Sequence, residues 1–122
     1  MKHLERGDEI FVFGSNANGF HNGGAALRAL TNYGAIYGRA EGIQGCSYAI
    51  PTVGVTFAQL ARAVGRFCDF VELNPQFTYK VTAIGCGSAG FSPYQIAPLF
   101  ARVSDRFNVK LPMEFKAVLN SI

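Results

Sequence analysis

The stretch Ile10-Phe11-Val12-Phe13-Gly14-Ser15-Asn16-Ala17-Asn18-Gly19-Phe20-His21-Asn22-Gly23-Gly24 decides the reading of this chain. It opens on β-branched and aromatic residues, which predict a buried strand over residues 9–13. Glycines follow, and residues 23–33 then read as a helix, with Asn22 placed to cap it and Gly34 to end it. Leu27 and Leu30 are expected to face the sheet. Glycine has no Cβ, so backbone N–H groups in such a turn can close around a ligand oxygen. The helix N-terminus that follows adds roughly half a positive charge. The same arrangement recurs later. Residues 78–84 read as a strand, Gly85-Cys86-Gly87-Ser88-Ala89-Gly90 follows, and Ser92-Pro93-Tyr94-Gln95 carries the marks of a helix start. Two such loops predict a cradle for a phosphate-bearing ligand.

Between the loops, residues 34–45 hold four glycines and read as a connection, with a short edge strand expected at Ala35-Ile36-Tyr37. Ser47-Tyr48-Ala49-Ile50 reads as a strand stopped by Pro51. Residues 56–73 give the clearest helix, because Phe57, Leu60, Ala61, Val64, Phe67, Cys68 and Val71 recur at spacings of three and four. Burying each large member of that stripe contributes roughly 1.5–3 kcal/mol. Asn74-Pro75 ends it. Beyond the second loop, Ile96, Leu99, Phe100, Val103 and Phe107 form another apolar stripe, interrupted by Pro98, which lacks a backbone donor. Residues 108–111 read as a last strand and 112–120 as a short final helix. Alternating strands and helices with short connections predict an α/β fold: a central, mostly parallel or mixed sheet with helices on both faces, in one domain over residues 1–122.

Composition narrows the function classes. The hydrophobic fraction is 49% and the charged fraction 16%, which suits a packed globule and not a disordered tail. No apolar run approaches the ~18 residues of a membrane span. The opening Met1-Lys2-His3-Leu4-Glu5-Arg6 lacks a signal-peptide core, so a cytoplasmic location without membrane contact is expected. The net charge of +3 is spread along the chain, which argues for a small anionic ligand and against a nucleic-acid face. Cys46, Cys68 and Cys86 are an odd set without metal-ligand spacing, so free thiols, no metal and no resident cofactor are expected.

Several residues admit two readings. Asn16 either satisfies its own turn or contacts the ligand. His21 either caps a helix in solvent or acts as a general base. Cys86 is either a thiol activated by a helix N-terminus or a small residue fitted beside phosphate. Thr52 either touches the ligand or caps the turn after Pro51, and Phe91 either walls the ligand or joins the core. Arg39 and Glu41 form a lid or a solvated surface. Read literally, Gly85-x-Gly87-x-x-Gly90 matches a dinucleotide fingerprint, but it falls late, and Asp105, about 20 residues on, lies inside an expected helix. A P-loop is excluded, because no Gly-Lys-Ser/Thr follows either loop.

Taken in order, Phe11-Val12-Phe13-Gly14-Ser15-Asn16, His21-Asn22-Gly23-Gly24-Ala25-Ala26, Ser47-Tyr48-Ala49-Ile50-Pro51-Thr52 and Ile84-Gly85-Cys86-Gly87-Ser88-Ala89-Gly90-Phe91-Ser92-Pro93 resemble the macro domains, across residues 8–111, and a small bacterial and phage branch of them. The resemblance implies a three-layer α/β/α sandwich that binds ADP-ribose or a related nucleotide across the strand carboxyl ends. It implies that Asn16 hydrogen-bonds the ribose beside the site of chemistry, and that Gly23 and Gly24 let the backbone approach that ribose and the diphosphate. Gly87, Ser88, Ala89 and Gly90 would donate N–H groups to the diphosphate, within a loop that includes Gly85 and Cys86. Gly14, Ser15 and Thr52 would line the site, Phe91 would pack on a ribose or the adenine, and Asp8 would read the adenine amino group. Two departures stand out. Ala26 occupies the position where many hydrolytic macro domains carry an aspartate, and Phe13 replaces the first asparagine of the loop. The resemblance therefore implies a nucleotide-binding protein first. An enzyme of the same fold, an ADP-ribosyl hydrolase or one that cleaves a nucleotide signal, with Asn16 holding the ribose and His21 moving a proton, is the alternative, and an interaction module that lost its ligand is a third.

Overall fold

The structure, a computed structural model, describes residues 4–121. It is an α/β protein with a five-stranded mixed sheet and four helices. Strand β1 (Glu9–Asn16) lies at the centre, paired in parallel with β3 (Ser47–Val53) on one side and β4 (Thr78–Val81) on the other. Strand β5 (Val109–Lys110) continues the sheet in parallel beyond β4, and β2 (Gly42–Gln44) runs antiparallel along the outer edge of β3.

Strand β1 feeds two cores, because successive side chains point to opposite faces. Ile10 and Val12 enter the larger core with Tyr48, Ile50, Tyr79 and Val81. Helix α2 (Phe57–Leu73) closes that core with Leu60, Ala63, Val64, Phe67, Cys68 and Val71. Phe67 stands at its middle, edge-on to Tyr48 at 5.0 Å and to Tyr79 at 5.7 Å. Helix α2 begins where the sequence indicates. Thr56 Oγ1 accepts from Gln59 N at 3.1 Å, and Gln59 Oε1 accepts from Thr56 N at 2.8 Å. Helix α3 (Pro93–Ile96), the 3₁₀ helix Ala97–Val103 and helix α4 (Met113–Asn120) add Ile96, Phe100, Val103, Phe115 and Val118 to the same core.

Phe11 and Phe13 enter the smaller core, beneath helix α1 (Gly24–Asn32). Two aromatic rings leave room only for small helix residues, so Ala26 and Ala29 face them. Leu27, expected to face the sheet, is instead exposed, and Leu30 is half-buried. Tyr33 stacks on Phe11 at 4.4 Å and the Arg28 guanidinium lies over the same ring at 5.3 Å.

Other elements also differ from expectation. Pro51 does not stop β3, which runs on to Val53. Strand β2 reaches only Ala49, so no strand needs the N–H that Pro51 lacks on that side. The edge strand falls at 42–44 and not at 35–37. Strand β4 ends at Val81, three residues early, because Thr82 turns its N–H and its hydroxyl onto the Val12 carbonyl at 3.1 and 2.8 Å. The helix expected through Phe107 tightens to 3₁₀ geometry at Ala97, with Pro98 in its first turn, and Phe107 lies outside it, 95% exposed.

Candidate functional site

Because β1, β3 and β4 are parallel neighbours, their carboxyl ends leave the sheet at one rim. Both glycine loops start there, and they line one cavity of about 620 Å³. Its size falls in the range of small-molecule sites, roughly 300–1,000 Å³. From the first loop and α1 come Gly14, Ser15, Asn16, Phe20, Asn22, Gly23, Gly24, Ala25 and Ala26. Strand β3 contributes Thr52 and Val53, and the chain after β4 contributes residues 82–85 and 87–89.

Two runs of residues in the cavity wall have uncommitted backbone donors. Helix α1 has no side-chain cap, since Asn22, expected to supply it, leaves Gly23 as the N-cap. The N–H groups of Gly24, Ala25 and Ala26 carry no hydrogen bond among the described residues, as befits the first turn of a helix. In the second loop the N–H groups of Gly87, Ser88 and Ala89 are likewise uncommitted among the described residues. A Cβ built on Gly23, Gly24 or Gly87 would meet nothing within 4 Å, so these glycines open directly onto space. The two loops approach each other at Gly14, where a Cβ would lie 3.1 Å from Thr52 Oγ1 and 3.6 Å from Ile84 Cβ. Thr52 Oγ1 donates to the Ser15 carbonyl at 3.1 Å, and the buried Ser15 hydroxyl donates to the Ala40 carbonyl.

Asn16 both lines the cavity and holds its own turn. Its Oδ1 accepts from Asn18 N at 3.1 Å and Phe20 N at 2.9 Å, and its Nδ2 donates to Phe20 O at 2.9 Å. A primary amide has two N–H bonds, so one donor of Asn16 remains for a ligand.

Other expected site residues lie elsewhere. His21 is fully buried and is not in the cavity wall. Its Nε2 lies 3.2 Å from Gln44 Oε1, its ring stands edge-on to Phe13 at 5.2 Å, and its Nδ1 has no partner among the described residues. Asp8 precedes β1, at the opposite end of a strand roughly 23 Å long, and its Oδ2 accepts from Glu5 N at 2.8 Å. Phe91 and Cys86 pack against the larger core, and Phe91 meets Phe57 at 5.8 Å. The Cys86 thiol is pushed above its usual value by burial and, secondarily, by Glu114, which is opposite to what an activated nucleophile needs. Gly90 spends its N–H on the Gly87 carbonyl at 3.0 Å, and its positive φ of 82° closes the loop.

Residues 36–44 brace the first loop from behind. Gly38 N donates to Gly19 O at 2.8 Å. The buried Gln44 side chain accepts from Ile36 N at 2.7 Å and donates to the Arg39 and Gly42 carbonyls at 3.1 and 3.3 Å. Glu41 clamps the segment to α2 through Arg66, at 2.6 and 2.8 Å. Neither Arg39 nor Glu41 lines the cavity, so the segment acts as a brace and not as a lid.

Phe20, Asn22, Thr82 and Ala83 enter the wall without having been expected there. An aromatic residue between Gly19 and His21, inside a polar turn, is the sequence signal that could have found Phe20. Among the described residues, no ionisable side chain lines the cavity. Among the described residues, no group of three or more His, Cys, Asp or Glu is placed to hold a metal ion, and no helix is long and apolar enough to cross a membrane. Comparison with family models, curated proteins and solved structures returns no match to this chain.

Proposed function

We infer that this protein binds a phosphate-bearing nucleotide, ADP-ribose or a compound derived from it, in the cavity between the glycine loops, and that its architecture is a macro-domain-like α/β/α sandwich. One observation carries the reading. Uncommitted N–H groups of Gly24, Ala25 and Ala26 and of Gly87, Ser88 and Ala89 line a single cavity from two independent loops. Amide donors with the positive end of a helix dipole suit a diphosphate, whose oxygens accept several hydrogen bonds at once. The spare N–H of Asn16 suits a neighbouring hydroxyl. Binding has more support than hydrolysis, because among the described residues the wall offers no ionisable side chain to activate water.

Titration calorimetry with ADP-ribose, NAD, AMP and cyclic ADP-ribose tests the reading. Saturable binding of at least one ligand is expected, with loss of affinity in Gly87→Val, whose side chain would occupy the open space beside the donors. Absence of binding to all four at millimolar ligand removes the proposal, and undiminished affinity in Gly87→Val removes the second loop from the cradle.

A further inference from the structure

Phe20 is the aromatic side chain in the cavity wall among the described residues, and it is 45% exposed. Exposed apolar side chains such as Leu73 and Phe107 are ordinary, but Phe20 differs from them in lining the cavity in a fixed position. The position is fixed from several sides. Its N–H and its carbonyl are both held by the Asn16 amide. Tyr37 stacks behind the ring, with centroids 5.4 Å apart and planes within 11°. Tyr37 in turn packs across the buried His21 at 6.5 Å, and Gln44 ties His21 to the bracing segment. An aromatic ring has two faces, and Tyr37 takes one of them. Two residues further on, Asn22 lines the same cavity, exposed, with no side-chain hydrogen bond among the described residues. A cavity of about 620 Å³ also exceeds what a lone phosphate group requires.

The geometry points to Phe20 as a stacking platform for a planar heteroaromatic ring carried by the phosphate-bearing ligand, with Tyr37 as its backing. The inference rests on the phosphate-cradle reading and extends it, since it assigns a ring-recognition subsite to the first loop, distinct from the amide donors of the second. Stacking is tolerant of base identity because every base presents a π face, whereas the edge of the ring meets the Asn22 amide, which both donates and accepts.

Two probes separate the parts: ADP, which carries a ring, and inorganic diphosphate, which does not. Calorimetry on the intact chain is expected to give tighter binding of ADP than of diphosphate. Phe20→Ala weakens ADP roughly five- to hundredfold, the range seen when a stacking aromatic is truncated, and leaves diphosphate unchanged. Phe20→Trp retains the ADP preference, while Phe20→Leu, apolar but without a π face, loses it. Equal losses for both probes, or no loss for ADP, overturn the stacking role and leave the cradle standing. Failure of the unaltered protein to bind either probe overturns the cradle itself, and with it the subsite. Melting temperatures of all four proteins accompany the titrations. A ligand-selective loss in Phe20→Leu at an unchanged melting temperature is the result that a merely structural role for the ring does not produce.

Discussion

The two glycine loops meet at one cavity, but they are built on opposite plans. The first is held by side chains. Asn16 closes its turn, Ser15 and Gln44 tie it and the segment behind it together, and Gly19 lies so close to that segment that a Cβ would fall 2.5 Å from the Gly38 carbonyl carbon. The second is held by its own main chain. Phe91 N donates to Gly85 O at 2.8 Å and Gly90 N to Gly87 O at 3.0 Å, and nothing lies within 4 Å of where a Gly87 Cβ would be. Glycine therefore means close packing at Gly19 and open space at Gly87. One residue type thus allows a close backbone approach in the first case and, on the proposed function, leaves room for a ligand in the second.

The comparison breaks most sharply at Gly19. Gly19→Ala combines a positive φ of 71° with a backbone collision, and is expected to cost about 3 kcal/mol or more. For a chain of this length that lowers the melting temperature by about 4 °C per kcal/mol, readable by calorimetry. An unchanged melting temperature would show that the brace does not constrain the loop. Next comes Gln44→Ala, which strands the Ile36 N–H and removes the oxygen facing His21 Nε2, for an expected loss of about 2–3 kcal/mol. It should also reduce the ADP preference over inorganic diphosphate, because Tyr37 and Phe20 lose their support.

The second loop should respond in affinity and not in stability. Gly87→Asp places a carboxylate among the uncommitted amides and is expected to weaken diphosphate at least about tenfold, or about 1.4 kcal/mol, at an unchanged melting temperature. A fall in stability with intact binding would invert the comparison. Alkali acts on the core instead. Burial raises the Cys68 thiol from its usual 9.0 to about 11 and the Tyr48 hydroxyl from 10.0 to about 12. The unfolded chain releases these protons first, so stability is fully present below about pH 9 and declines through about pH 12. Denaturant midpoints measured across that range check the direction. The smallest effect belongs to Ser88→Ala, expected to stay within about 0.5 kcal/mol in stability and affinity, because the proposed contact uses the Ser88 main chain.

Local signals were legible in the sequence where the physics was local. Helix α2 follows from three- and four-residue spacing and from Asn74-Pro75 at its end. The strand–glycine–helix order placed both loops, and parallel pairing of β1 with β4 brings them to one rim. What was not legible depends on distant partners. Pro51 is tolerated only because β2 stops short of it, and Leu27 is displaced by Ala26 and Ala29 only because Phe11 and Phe13 fill the space below. His21 reads as a polar loop residue until residues 36–44 bury it. Asp8 lies just before the strand that ends at Asn16, so the two stand at opposite ends of it, a separation that a residue motif does not express.

Every candidate grip on the phosphate is a peptide amide, and amides do not titrate in the biological range. The acidity profile of binding should then be that of the guest, flat once its phosphates are ionised. On the proposed function, the phosphate would be held by the path of the chain, and that hold would survive changes of medium that would silence a lysine- or histidine-based clamp.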